Sequence, residues 1–317
     1  MSLAVSESSP SDAVQNGTRR TPRSLRTPAA AAVLGTRTFV SEHREASVGF
    51  GVILVIAGFS WLGPQIWRAD PLSVSLANSL LAPSGSHPFG TDDVGRDVLA
   101  RVMSSGQLDI LAAVVVTAAG GLVGMTIGAV AGLRGGATDN ASMRLMDSLL
   151  AFPPLILALA VSVALGAGTL SAALGITIST VPFYARLMRS EVLRVKALPF
   201  VEAAVASGGR PSRIVSRHIL PHTWQVMAIQ ASSVVGYAVL TLAALGFVGL
   251  GVQVPTAEWG TMITAGLPFV LSGQWWMGVF PGVMLLTLVI GCNLVADGLG
   301  GGTVAGVMTG TTRSLRE

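Results

Sequence analysis

PFVEAAVASGGRPSRIVSRHILPH, residues 199–222, is a polar island between two long apolar segments, and the placement of the whole chain follows from how it is read. It reads as two short helices joined by a break. Pro199 suits a first helical turn, Glu202 sits where the positive end of the helix dipole favours a carboxylate, and Gly208-Gly209 offers a residue able to close the helix in the left-handed conformation. The first helix is therefore expected over 199–207. Pro211 restarts the chain, Arg213 and Arg217 stand four residues apart on one face, and Pro221 is expected to stop the second helix. Between Glu202 and Gly208 every residue except Val205 is Ala or Ser, which leaves a thin flank that a partner protein can approach closely.

Composition says what lies on either side. Hydrophobic residues make up 51% of 317, charged residues 11%, and mean hydropathy is +0.65, a balance foreign to soluble globular domains. The isoelectric point of about 10.2 raises the question of nucleic acid. Nineteen arginines and one lysine, with almost no aromatic residues among them, fit membrane topology better. The single cysteine, Cys292, lies in an apolar run and offers neither an internal disulfide nor a metal cluster.

Six apolar segments follow in order. Residues 46–66 form the first, with Trp61 and Trp67 at its far end in aromatic-belt positions. The excursion from Arg68 to Asp109 is polar; Thr91 is the expected N-cap of an interfacial amphipathic helix carrying Val94, Val98 and Val102. Asp92, Asp93 and Asp97 lack the spacing and the bidentate glutamate of a calcium loop. The second span, 110–133, carries Gly120, Gly124, Gly128 and Gly132. Four residues advance about 400° around a helix, so these glycines form one slowly drifting groove for close helix packing. The third span, 143–166, contains Pro153-Pro154 and is expected to kink there, with Asp147 and Arg144 near its start. A tight turn over Gly166 to Thr169 leads to the fourth span, 170–187. The fifth covers 224–245, an irregular glycine-rich segment follows, and the sixth runs from Trp275-Trp276 to about Asp297.

Glu202-Ala203-Ala204, then three residues, then Gly208, then Ile219-Leu220-Pro221, resembles the E-A-A loop of permease subunits of bacterial ATP-binding-cassette importers. An ordinary amphipathic loop would account for the triplet alone, though not for the full spacing between spans. GTDDVGRD at 90–97 and GFVGLGVQVPTAEWG at 246–260 resemble the oligopeptide, dipeptide and nickel branch, in its C-type subunit. The ending Asn293-Leu294-Val295-Ala296-Asp297-Gly298-Leu299 is similar to that branch too. The departures are Leu242 where the branch commonly has an acid, Val254 and Ala257 in place of prolines, and Gly300 in place of an arginine.

The resemblance implies an all-α membrane protein of six transmembrane helices with both termini cytoplasmic. The expected organisation is a largely disordered cytoplasmic tail over 1–45, with a short interfacial helix near 29–33, a permease domain over 46–299 and a cytoplasmic tail over 300–317. It also implies that Glu202, Ala203, Ala204, Gly208, Leu220 and Pro221 form a coupling element against an ATPase. The implied partners are a paralogous permease, two ATP-binding-cassette ATPase subunits and an external substrate-binding lipoprotein, in membrane lipid and without nucleic acid. ATP and magnesium would sit on the ATPase subunits, with no cofactor on this chain. Short peptides are the implied cargo, nickel chelates and glutathione-like solutes the alternatives.

Charge counting is independent of any resemblance. With both termini inside, the inner segments hold seventeen basic residues and the outer ones three: Arg68, Arg96 and Arg101. That bias places 199–222 in the cytoplasm. An ion-coupled transporter would need ionisable groups at mid-membrane, and spans one, two, four and five have none at their centres. An intramembrane enzyme would need a His, Ser or Asp constellation within the spans, whereas all four histidines lie outside them.

Overall fold

The computed structural model describes residues 43–314; the expected N-terminal tail lies almost wholly outside them. Regular structure among the described residues is helical. In chain order the helices are α1 (Arg44–Ile66), α2 (Val98–Arg134), α3 (Gly136–Leu150), α4 (Pro154–Leu165), α5 (Thr169–Lys196), α6 (Pro199–Ala206), α7 (Pro211–Ile214), α8 (Leu220–Phe247), α9 (Trp259–Val270) and α10 (Trp276–Ser314). A π turn, Val215–Ile219, joins α7 to α8.

α1, α2, α5, the continuous run Val215–Phe247 and the Trp276–Gly300 part of α10 are each long and apolar enough to cross a bilayer core. The expected third span is instead two helices, α3 and α4, meeting at 87°. A single proline kinks a helix, but the pair breaks it: the residue before a proline is driven out of the α region, and Pro153 stands at ψ 130°. The packing shows that this broken pair is still a crossing. Gly120, Gly124, Gly128 and Gly132 of α2 meet Thr180, Val181, Ala185 and Val192 of α5 in rising order, so α2 and α5 run parallel. The chain between two parallel helices has to return to the far end, and α3–α4 makes that return.

The glycine groove brings backbone against backbone. A β-carbon at Gly124 would lie 2.5 Å from the Val181 carbonyl oxygen, and one at Gly128 would overlap that of Ala185. α1 and α10 pack antiparallel with the same intimacy: a β-carbon at Gly49 would lie 2.6 Å from the Gly291 oxygen. A core that includes Ile56, Val116, Ile176, Leu242, Trp259 and Leu288 ties α1, α2, α5, α8, α9 and α10 together.

One further expectation is corrected. Thr91 does not cap a helix; its hydroxyl donates to the Asn78 carbonyl at 2.5 Å and accepts from the Leu81 N–H. Asp97 is the N-cap, accepting from the Ala100 N–H at 2.8 Å, and the helix it opens is no separate interfacial element but the start of α2. Asp97 also takes the Trp67 indole N–H and the His87 ring, so a carboxylate at this position satisfies three donors where a threonine could not. Asp147 pairs with Arg186 of α5. α10 runs on to Ser314.

Candidate coupling site

α5 runs on past the glycine groove and delivers the chain to the 199–222 segment. At that end Arg189 grips Asp139 of α3 with both arms of its guanidinium, at 2.5 and 2.6 Å, and Lys196 donates to the Leu133 carbonyl at the end of α2 at 3.3 Å. A fork-shaped donor on a carboxylate fixes orientation as well as charge. The base of the segment is thus fastened to α2 and α3.

α6 spans Pro199–Ala206 with Pro199 in its first turn. Val201 is its buried anchor, packed in a cluster with Met188, Val192, Val195, Ile214, Ile219 and Met227. The opposite side is open: Glu202, Ala203, Val205, Ala206 and Ser207 are exposed, Ala204 half-buried. Gly208 stands at φ 76°. The closing bonds form the six-to-one and five-to-two pair of a Schellman motif, Gly209 N–H to the Ala204 carbonyl at 3.0 Å and Gly208 N–H to that of Val205 at 2.9 Å.

Beyond the break, Pro221 does not end a helix. It falls in the first turn of α8, and the π turn Val215–Ile219 precedes it without interruption. In a regular α-helix the proline ring would press on the carbonyl four residues back, that of Arg217; the wider π turn relieves the clash. Ile219 is buried while Leu220 and Pro221 are exposed, on the outside of the bundle. Sequence reading passed over Phe200, whose ring lies 5.0 Å from that of His222 and 6.1 Å from that of His218 and so lays α6 against the root of α8. The only signal was a lone aromatic next to Pro199 facing two histidines four residues apart.

The expected coupling residues therefore split by position. Glu202, Ala203 and Gly208 share the open surface of α6 and its closing turn, with Ala204 at its edge; Leu220 and Pro221 are exposed at the start of α8. The glycines Gly120 to Gly132 lie along the α2–α5 contact that leads to this surface. At the other end of the bundle the remaining motif-like phrases converge: the Trp276 indole donates to the Thr91 carbonyl at 3.1 Å, and Arg101 to that of Pro255 at 3.5 Å. Asp92, Arg96 and Arg101 form an ion-pair cluster there, with Arg96 Nε 2.6 Å from Asp92. Asp109, Glu258 and Trp259, all buried, were also passed over, because in the sequence Asp109 stands far from the other two.

Comparison with known proteins bears on the whole arrangement. Residues 124–302 match the family described as binding-protein-dependent transport system inner membrane component. The chain is 40% identical over 248 residues to the Escherichia coli (strain K12) protein named "Probable D,D-dipeptide transport system permease protein DdpC", covering 78% of this chain and 83% of that one. It is 35% identical over 260 residues to the dipeptide transport system permease protein DppC of Alkalihalophilus pseudofirmus, with 82% and 85% covered. To the oligopeptide transport system permease protein OppC of Bacillus subtilis it is 34% identical over 258 residues, with 81% and 84% covered. Helical bundle, broken crossing and family match agree: this chain belongs to the binding-protein-dependent transport system inner membrane components, the integral membrane permease subunits of ATP-binding-cassette importers.

Proposed function

We propose that this chain forms half of the translocation pathway of an ATP-driven importer of short peptides, and that residues 199–222 carry its coupling to a separate ATPase. The observation that carries the reading is the shape of α6: Val201 anchors it and Phe200 lays it against α8, while its small-residue side and left-handed closing turn stand free. A flank of Ala and Ser lets a partner groove close on the helix backbone. The parallel contact of α2 with α5 then offers a rigid path from this surface into the membrane. Peptide cargo is supported by the names of the relatives, which are dipeptide and oligopeptide permeases. The partners proposed are a paralogous permease, two ATPase subunits that bind ATP and magnesium, and an external substrate-binding lipoprotein, in the cytoplasmic membrane. This chain itself would bind no cofactor.

Uptake of labelled di- and oligopeptides by cells lacking this gene tests the cargo. Loss of peptide uptake restored by the gene supports it; unchanged peptide uptake with loss of another solute overturns it.

A further inference from the structure

Two carboxyl groups meet at the N-terminus of α9. Glu258, 1% exposed, caps the helix, with Oε1 accepting from the Gly260 N–H at 2.7 Å and Oε2 from the Thr261 N–H at 2.8 Å. Asp109, 2% exposed, reaches the same turn from α2, its Oδ2 accepting from the Trp259 N–H at 3.1 Å. Its other oxygen, Oδ1, is buried without a hydrogen-bond partner. Trp259, fully buried, also donates its indole N–H to the Val102 carbonyl at 3.1 Å, so one residue ties α9 to α2 twice.

Charge at this joint does not balance if both carboxyls are ionised. Three N–H groups and the positive end of a helix dipole suit one buried anion. A second would stand in a dry pocket uncompensated. Among the described residues, neighbouring elements bring no cation to the pair. α1 presents Ser60 beside Gly106, and α8 presents Ala243 and Gly246. The nearest guanidinium on α2, that of Arg101, is turned to the carbonyls of Pro71 and Pro255 and to Asp92.

The geometry points to Asp109 and Glu258 as a proton-binding pair, in which a single proton, carried by Asp109 beside the ionised Glu258, allows α9 to dock on α2. Both oxygens of Glu258 already accept from N–H groups, so the vacant Oδ1 of Asp109 is where the proton sits. Burial pushes the Glu258 carboxyl up, against the hydrogen bonds from Gly260 and Thr261 that hold its charge. A buried pair that holds one proton more tightly in the fold than in the unfolded chain stabilises the fold at low pH, and that stabilisation is lost as pH rises through the pair's folded-state value. Alkaline conditions therefore loosen α9 from α2. The joint lies at the end of α2 away from residues 199–222, and it stands whatever that loop binds.

The test is thermal unfolding of the full-length chain, purified with the subunits that accompany it, from mildly acidic to alkaline pH. The wild-type midpoint should fall as pH rises. In D109N the amide oxygen keeps the Trp259 bond and an amide N–H replaces the proton, so the midpoint should hold steady. Infrared spectroscopy of the wild type should show a protonated-carboxyl C=O stretch that shifts in D2O, bleaches at alkaline pH and is lost in D109N. If D109N does not fold, D109S carries the same comparison. A wild-type midpoint that stays flat or rises, a slope in the variant equal to that of the wild type, or no protonated-carboxyl band in the wild type overturns the proposal.

Discussion

At the residue scale, Gly208 separates two ways in which a side chain can harm a docking helix. Nothing lies within 4 Å of the position a β-carbon would take there, so within this chain the cost is conformational, from φ 76°. That cost is about 1 kcal/mol for a residue with a β-carbon, and greater for a branched one. Gly208→Ala should therefore cost little in stability, while Gly208→Val should release the ATPase because its branches enter the partner's groove. Co-purification of the ATPase with each variant checks this, and equal retention by both would remove the groove from the argument. Glu202 is exposed in the first turn of α6 and touches no cation of its own chain among the described residues. If it meets a basic residue at the rim of the ATPase, Glu202→Ala loses a pair worth about 2 kcal/mol, and Glu202→Lys adds repulsion. Substrate-stimulated ATP hydrolysis of the reconstituted complex should fall in the order wild type, Ala, Lys. Normal transport by Glu202→Lys would mean that coupling runs elsewhere.

At the element scale, the α2–α5 groove sets a sharp contrast between neighbouring glycines. A β-carbon at Gly128 would collide with the Ala185 backbone, whereas at Gly121 it would rest 3.5 Å from the Tyr184 ring, an ordinary contact. Gly128→Val should abolish accumulation of the folded chain, a loss of several kcal/mol expected from overpacking that backbone cannot relieve, and Gly121→Ala should be tolerated. Membrane yield and thermal midpoint read the difference. This groove was legible in the sequence because a four-residue repeat of glycine is a helical signal in itself, and the E-A-A spacing was legible because prolines and glycines punctuate it. Other elements depended on distant partners. Asp97 rather than Thr91 opens α2 because Trp67 and His87 converge on it, and no local pattern records that. α9 escaped notice since twelve residues with Pro268 among them are too short for a span; its one local mark was Glu258 placed to cap the following N–H groups. Pro221 read as a stop, since a π turn that accommodates it leaves no trace in apolar periodicity.

At the scale of the whole molecule, two consequences follow from what the chain lacks and how its ends are placed. A phosphate-binding loop needs G-x-x-x-x-G-K-S/T, and the one lysine, Lys196, stands in RVKAL without the glycines. The purified chain free of partners should therefore show no ATP hydrolysis above background, and sustained turnover would refute the division of labour. The second consequence is topology. His43 donates to the Gly298 carbonyl at 2.9 Å, so the start of α1 and the late part of α10 share one end of the bundle. α8 and α10 pack antiparallel through Ser232 and Cys292, at 2.8 Å, which puts the start of α8, and with it residues 199–222, at that same end. Arg134, Arg189, Arg194, Lys196, Arg210, Arg213 and Arg217 cluster there, while Asp70, Asp92, Asp93 and Asp97 lie in the loop at the other. Positive charge is retained on the cytoplasmic side, so the end that carries 199–222 should face the cytoplasm and the 67–97 loop should face out. Cysteine labelling in whole cells reads this directly. Ser207→Cys avoids the strained position at Gly208, Ser86→Cys is an exposed control in the opposite loop, and native Cys292 is buried. A membrane-impermeant maleimide should modify Ser86→Cys in intact cells and reach Ser207→Cys only after the membrane is opened. Labelling of Ser207→Cys from outside would invert the topology and with it the assignment of α6 to an ATPase.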